Sequence, residues 1–424
     1  MDCLFSPAHL AGKAEVPASK SETHRRLLCA GLSPELSVLE RLTASQDTVA
    51  TIRCLRALGA DISGTEGTVR VRGFAHKPDL MPVLDCGESA STLRFFVPVA
   101  MTLTHGGIFR MHGRLGQRPM DVYRELFVPR GVLWRMREGA DGAAELTVTG
   151  GLGAGDYVLP GNVSSQFVSG LLFALPMLDG DSTLTVQPPV ESAGYIAMTV
   201  RALQESGIEV REQAVGVWEI PGRQRYRAQQ GIVQGDWSQA AVLLCMDALG
   251  ADIEVTRACE ASMQGDRAVL SFLETLGAKV IRSDDSLRVE AAGGLRGAVL
   301  DMRDTPDIAP ILALVCQMAQ GESRLTGCGR LRLKECDRLA ATVSVLNALG
   351  GDAREDGDDI VVRGVPALRG GVTVDGFRDH RMVMLLSAAA AIAQKPVTVR
   401  GVEALEKSWP DYLDVYRALG GKAE

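Results

Sequence analysis

A helix-like run ending in glycine and followed by a short strand-like run recurs six times along this chain of 424 residues. The glycines are Gly59, Gly131, Gly207, Gly277, Gly350 and Gly420, with spacings of 72, 76, 70, 73 and 70 residues. Around them stand Leu55-Arg56-Ala57-Leu58-Gly59-Ala60, Leu273-Glu274-Thr275-Leu276-Gly277-Ala278 and Leu346-Asn347-Ala348-Leu349-Gly350-Gly351. The second copy, Val128-Pro129-Arg130-Gly131-Val132, is the most degenerate. Glycine readily takes the left-handed conformation that ends a helix. A long, nearly fixed period therefore implies one supersecondary unit used six times.

Within the first repeat, residues 48–58 read as an amphipathic helix, and 60–63 and 68–72 as strands about the turn Gly64-Thr65-Glu66-Gly67. An earlier helix, often after a polar, glycine-containing loop, is expected at 89–103, 164–175, 237–249 and 306–319. Each unit is thus roughly βαβαββ, in an α/β (α+β) protein. The sixth is truncated: after a helix at 411–419 only Lys422-Ala423-Glu424 remain. The N-terminal segment is the simplest completion, so one domain is built from both chain ends and the other is inserted between them. Three units each place an N-terminal domain at 20–229 and a C-terminal domain at 1–19 plus 230–424.

A chain of this length exceeds one ordinary hydrophobic core. Net charge is −7 and aromatics make up 5%, which argues against nucleic acid, an anionic membrane or a base-stacking surface. The longest apolar stretches, near 168–178 and 383–393, fall short of the ~20 residues of a spanning helix. No basic segment precedes an apolar one at the N-terminus, so a signal peptide is not expected. Nine scattered cysteines without Cys-x-x-Cys pairs fit a reducing cytoplasm. Six histidines lack metal-ligand spacing, so no metal is expected.

An acidic protein that gathers cations at particular loops is suited there to a multiply anionic ligand. One cluster is Ser19-Lys20-Ser21-Glu22-Thr23-His24-Arg25, at the start of a helix expected at 21–32; hydroxyls and free backbone N–H groups at such a start suit anions. Others are Asp85-Cys86-Gly87-Glu88-Ser89-Ala90-Ser91-Thr92-Leu93-Arg94, His112-Gly113-Arg114-Leu115-Gly116-Gln117-Arg118-Pro119 and Asn162-Val163-Ser164-Ser165-Gln166. Arginines can bind carboxylate or phosphate bidentately. The second half adds Thr305-Pro306-Asp307, Arg332-Leu333-Lys334-Glu335-Cys336-Asp337-Arg338, Asp379-His380-Arg381 and Lys407. On a helix Lys334 and Arg338 would share a face, with Glu335 displaced by about 100°. Taken singly, each cluster also fits a capped helix or a solvated, salt-bridged surface. Gly150-Gly151-Leu152-Gly153-Ala154-Gly155 does not satisfy a dinucleotide fingerprint, and no phosphate-binding Gly-x-x-x-x-Gly-Lys-Ser/Thr occurs.

Taken together and in order, these segments resemble the 3-phosphoshikimate 1-carboxyvinyltransferase (EPSP synthase) family over essentially the whole chain. The resemblance is carried by Ser19-Lys20-Ser21…Arg25, Gln117-Arg118-Pro119, Ser164-Ser165-Gln166, Pro306-Asp307, Arg332-Leu333-Lys334-Glu335…Asp337-Arg338, Asp379-His380-Arg381 and Glu406-Lys407-Ser408…Pro410-Asp411. It implies two similar domains, each of three βαβαββ units in an inverted α/β barrel, with an interdomain cleft that closes on substrates. The implied reaction moves the enolpyruvyl group of phosphoenolpyruvate to the 5-hydroxyl of shikimate 3-phosphate, in aromatic amino acid biosynthesis. It also implies that Lys20, Ser21, Arg25, Ser164, Ser165, Gln166, Ser192, Tyr195, Asp307 and Lys334 hold shikimate 3-phosphate. Phosphoenolpyruvate would meet Lys20, Gln166, Arg118, Arg338, Arg381 and Lys407, with Ala90 and Arg94 in the loop shaping its pocket. Asp307 resembles the base near the 5-hydroxyl and Glu335 the acid that protonates the methylene carbon, with Lys20 beside both substrates.

Two multiply anionic substrates repel unless cations surround them, and phosphoenolpyruvate carries its own leaving group, so no cofactor is expected. What is needed is an acid–base pair and cations that stabilise an anionic tetrahedral intermediate. Burial or a bound anion is expected to raise the pKa of Glu335. One departure is Ala90, where the family usually has glycine; its methyl is expected to weaken binding of glyphosate, the family's known inhibitor. The nearest rival is UDP-N-acetylglucosamine enolpyruvyl transferase, which typically has Lys-Asn in place of Lys20-Ser21 and a loop cysteine within 105–120; neither occurs here. A non-catalytic anion-binding protein of the same fold would be expected to lack Asp307 or Glu335. The expected enzyme is a cytoplasmic monomer.

Overall fold

In the computed structural model, which describes residues 1–74, 81–139 and 141–424, the described strands form six four-stranded sheets. All six share one plan: a first strand runs parallel to a second, which pairs antiparallel with a third, and the third pairs antiparallel with a fourth at the edge. In five sheets the third and fourth strands form a hairpin, and in the sixth they come from the two chain ends. In spatial order, one sheet is Val83–Asp85, Gly106–Met111, Ala144–Thr149 and Leu133–Glu138. Another is Val299–Asp301, Glu322–Thr326, Asp359–Arg363 and Asp352–Asp356. Parallel neighbours need a crossover connection, and in each of these two a buried helix supplies it: Ala90–Thr104 and Ala309–Gln317. These are the βαβαββ units expected from the glycine period.

The chain divides into two compact units, Ala18–Val233 and Met1–Pro17 with Gln234–Glu424. The crossings thus fall at 17/18 and 233/234 rather than at 19/20 and 229/230. The reasons are local. Gln230–Ile232 pairs parallel with Leu36–Leu42 and so belongs with the first unit; Ser19 caps helix Lys20–Leu32 and stays with that helix. Asp2–Ser6 joins Val397–Arg400 to Lys422–Ala423 and fills the sixth sheet. Ala11–Glu15 instead pairs parallel with Asp252–Thr256 and opens another sheet. The N-terminal segment therefore serves two sheets.

Each unit has its own apolar core, built around three helices. In the inserted unit these are Lys20–Leu32, Ala90–Thr104 and Ser165–Ala174; in the other they are Trp237–Ala248, Ala309–Gln317 and His380–Ile392. Trp237–Ala248 and Ala309–Gln317 are buried along their whole length; their sequences are mostly apolar, and among their buried polar residues Ser238, Asp247 and Gln317 are hydrogen-bonded. The second helix of each of the six repeats is amphipathic or short, and lies one side on the core. It ends at the repeating glycine, whose φ is +96° at Gly59, +84° at Gly131, +75° at Gly207, +95° at Gly277, +97° at Gly350 and +91° at Gly420.

Candidate active site

Most of the candidate residues sit at or just before a helix N-terminus. Lys20, Ser21 and Arg25 open Lys20–Leu32, Ala90 begins Ala90–Thr104, Ser164 caps Ser165–Ala174, and Ser192 precedes Ala193–Glu205. Asp307 lies in the 3-10 turn Pro306–Ile308 before Ala309–Gln317, and Asp379 caps His380–Ile392. Such starts carry unpaired N–H groups and the positive end of the helix dipole, so anions are favoured there.

In the inserted unit, two buried arginines are held by neutral acceptors. Arg25 donates from Nε to Thr199 Oγ1 (2.8 Å), from Nη1 to the Ser21 carbonyl (2.7 Å), and from Nη2 to the Tyr195 carbonyl (2.9 Å). Its guanidinium also lies over the rings of Phe95 and Tyr195, at 5.3 and 5.9 Å from their centroids. Burial pushes its pKa down to about 10, which leaves it charged at neutral pH. Arg94 donates to Gln166 Oε1 (2.8 Å), Ser164 Oγ (3.4 Å) and the Pro119 carbonyl (2.9 Å). Gln166 in turn donates to Ser91 Oγ at 2.8 Å. Lys20 is ion-paired, its Nζ 2.8 Å from Asp47 Oδ2. Arg118 is half-buried just after the turn Leu115–Gln117. Ser192, buried, adopts a left-handed conformation (φ 56°) at the start of the helix bearing Tyr195.

The other unit gathers carboxylates around one arginine. Arg338, 2% exposed, donates from Nε to Asp379 Oδ2 (2.7 Å), from Nη1 to Asp307 Oδ1 (2.8 Å) and from Nη2 to Glu335 Oε2 (2.7 Å). Lys334 Nζ reaches the same Asp307 oxygen at 2.9 Å, and Lys407 Nζ lies 3.8 Å from Glu335 Oε1. Burial works to raise the Asp307 carboxyl, but Lys334, Arg338 and Arg381 outweigh it and hold it well below the usual carboxylate range. Burial likewise lowers Lys334, with Asp307 opposing. For Arg338 burial is overcome by Asp379, Glu335 and Asp307, which hold its proton more tightly than usual. Arg381 is anchored through Nη1 to the Ser238 carbonyl (2.8 Å) and through Nη2 to Ser238 Oγ.

Two expectations from the sequence need correction. Lys334 and Glu335 do not share a helix with Arg338: Asp337 accepts from Ala340 N at 3.0 Å and caps Arg338–Ala348, so the helix begins after them. Lys334 is extended, and it meets Arg338 through their common partner Asp307 rather than across a helical turn. Arg94 is not in a loop: Ser89 accepts from Thr92 N and starts the helix at Ala90, leaving Arg94 inside it. Three partners escaped sequence reasoning as parts of the site. Asp47, 27 positions from Lys20, carries no local signal. Ser238, which holds Arg381, reads only as a helix-start polar residue. Asp379 was visible as a motif residue, but its bond to Arg338 spans 41 positions.

Along its whole length the chain resembles solved enolpyruvyl transferases. It aligns with an EPSP synthase from Acinetobacter baumannii at TM-score 0.82 and 23% identity, covering 100% of this chain and 99% of that one. With the enolpyruvyl transferase NikO from Streptomyces tendae the TM-score is 0.77 at 17% identity, covering 100% and 98%. The fold is therefore that of the enolpyruvyl transferases. The family model for EPSP synthase (3-phosphoshikimate 1-carboxyvinyltransferase) matches residues 5–416. Relatives of that name from Clostridium beijerinckii and Clostridioides difficile are 37% and 35% identical, covering 98% and 99% of this chain and 96% and 97% of theirs. The chain belongs to the EPSP synthase family, enzymes that transfer the enolpyruvyl group of phosphoenolpyruvate to shikimate 3-phosphate. Among the described residues no helix is long and apolar enough to cross a membrane.

Proposed function

We propose that this chain carries out that reaction by addition and elimination through a tetrahedral intermediate, with Asp307 as base and Glu335 as acid. The observation that carries the assignment is the single guanidinium of Arg338 bonded to both carboxylates. Asp307, held ionised, takes the proton of the 5-hydroxyl as that oxygen attacks C2 of phosphoenolpyruvate. Glu335 delivers a proton to C3. Elimination then returns a proton from C3 to the enzyme and releases phosphate, restoring the double bond. Incoming anions compete with Asp307 for Lys334 and Arg338, which raises the proton affinity of the carboxylate when it is needed.

Lys20, Ser21, Arg25, Ser164, Ser165, Gln166, Ser192, Tyr195 and Lys334 are assigned to shikimate 3-phosphate. Lys20, Ala90, Arg94, Arg118, Gln166, Arg338, Arg381 and Lys407 are assigned to phosphoenolpyruvate. Arg94 acts on that ligand through Gln166 and the Pro119 carbonyl that it holds. The same reading makes the inserted unit chiefly the binder of shikimate 3-phosphate and the enzyme a cytoplasmic monomer. The deciding experiment is phosphate release from phosphoenolpyruvate with either shikimate 3-phosphate or UDP-N-acetylglucosamine as acceptor. Release is expected with the former alone; release only with the aminosugar nucleotide would overturn the reading.

A further inference from the structure

Helix Lys20–Leu32 carries, between its candidate ligand groups, a histidine that the reaction as described does not use. His24 is 1% exposed, and its Nδ1 lies 2.7 Å from Thr51 Oγ1 on helix Gln46–Ala57. Thr51 Oγ1 lies 2.8 Å from Thr92 Oγ1, and the Thr92 hydroxyl donates to Ser89 Oγ at 2.8 Å. All four side chains are buried. Ser89 is the cap of helix Ala90–Thr104, so this line of hydrogen bonds joins the N-terminal parts of three helices.

The proton order along the line follows from counting. Each threonine hydroxyl has one proton. That of Thr92 goes to Ser89, so Thr92 can only accept from Thr51; Thr51 has then spent its own proton and must accept from His24. Nδ1 therefore carries the N–H and Nε2 the lone pair. Nε2 is buried and has no hydrogen-bond partner among the described residues. Burial, with Lys20 and Arg25 adding to it and Asp47 opposing, pushes the imidazole down to about 3, so the ring stays neutral where an enzyme works.

We propose that His24 is a positioning residue for enolpyruvyl transfer: as a fixed Nδ1–H donor it sets, through Thr51, Thr92 and Ser89, the start of the helix that carries Ala90 and Ser91. Ser91 receives the Gln166 amide, whose oxygen holds Arg94, so the polar contacts continue into the group assigned to phosphoenolpyruvate. Lys20, Ser21 and Arg25, assigned to shikimate 3-phosphate, stand on the helix of His24 itself. The chain thereby keeps the two groups in register, and it rests on the substrate assignment given above.

Steady-state kinetics of His24→Leu, Thr51→Val, Thr92→Val and His24→Asn test it, with melting temperature and calorimetric binding of shikimate 3-phosphate as controls. The first three should raise KM for phosphoenolpyruvate about tenfold, as expected when a buried donor or acceptor loses its partner, with kcat and shikimate 3-phosphate affinity within about twofold. His24→Asn, whose amide N–H can stand where Nδ1–H stood, should restore KM. The double variant His24→Leu/Thr92→Val should be no worse than either single one, because both break one chain. Unchanged KM in variants that melt normally, failure of asparagine to rescue, or effects that multiply would each overturn the proposal. Imidazole ¹⁵N shifts of the wild-type protein supply a readout independent of turnover: a neutral Nδ1–H ring at neutral pH is required, and an Nε2–H ring refutes it. A protein that released no phosphate would refute the reaction, while the ring state would still judge the chain.

Discussion

Arg25 and Arg338 are both buried arginines, one in each unit, yet they are satisfied in opposite ways. The bonds of Arg25 go to hydroxyls and backbone carbonyls, which orient a guanidinium without cancelling its charge. Those of Arg338 go to three carboxylates, Asp307, Glu335 and Asp379. On the assignment proposed above, the first arrangement keeps a cation available for an anion that arrives with the substrate. The second sets its charge against carboxylates inside the protein, where it helps to hold Asp307 well below its ordinary value. Neutral acceptors leave a guanidinium its charge for a phosphate group; a shared cation suits a pair of groups that must exchange protons. The contrast predicts that variants in the two units fail differently.

The sharpest test is Glu335→Gln. The amide cannot give up a proton to C3, so kcat should fall by roughly 10²–10⁴-fold, the usual worth of general acid–base help. Shikimate 3-phosphate affinity, measured by calorimetry, should stay nearly unchanged, because the groups assigned to it are left in place. Near-normal turnover would remove Glu335 from the chemistry and erase the distinction between the units.

Replacing Arg338 by Met probes stability instead. It strands three carboxylates with reduced compensation, and breaking a buried pair from one side typically costs about 3–5 kcal/mol. Urea unfolding at neutral pH should read a loss of that size. The pH dependence has a definite sign. Asp307 is held well below its ordinary value of 3.8, so its contribution is fully present above that value and is lost as pH falls through the lower folded pKa. In Arg338→Met that carboxyl titrates nearer its ordinary value, so the variant's deficit should be largest at neutral pH and narrow below about pH 4. A deficit that stays constant down to pH 2 would show that Arg338 does not set the titration of its neighbours.

These effects were legible in the sequence to different depths. The six glycines marked helix ends because a stop of this kind needs a left-handed residue, and each has positive φ, even after the degenerate turn Val128–Arg130. Helices Ser165–Ala174 and His380–Ile392, buried along nearly their whole length, coincide with the apolar stretches near 168–178 and 383–393. Short strands carry no such signature: Asp2–Ser6 and Ala11–Glu15 enter different sheets, a division set by pairing over hundreds of residues. At the candidate site, the loops could be found because hydroxyls, glycine and cations collect at helix starts. The bonds among them could not. Lys334 and Arg338 looked like helical neighbours, and only the cap at Asp337 places the helix start between them. The pairing of Lys20 with Asp47 and the chain from His24 to Ser89 depend on how helices pack, which no local pattern encodes.

The smallest predicted effect lies at Ala90, the first residue of helix Ala90–Thr104 and 4% exposed. Its backbone is fixed from one side by the Ser89 cap, and its neighbour Ser91 is fixed from the other by Gln166. A methyl group there has little freedom to move aside. One methyl in a shaped pocket is worth about 1–3 kcal/mol, or roughly 10–200-fold, in discriminating ligands, and a site this constrained should express at least the lower end. Ala90→Gly should therefore increase inhibition by glyphosate by about tenfold or more, while KM for phosphoenolpyruvate falls only slightly. Inhibition curves of the two proteins at matched phosphoenolpyruvate saturation decide it, and equal sensitivity would sink the idea. The substitution also leaves the carboxylate cluster around Arg338 untouched, so kcat should hold. A large change in kcat would mean that the start of this helix bears on the proton transfers as well as on binding, and the division of labour between the two arginines would have to be redrawn.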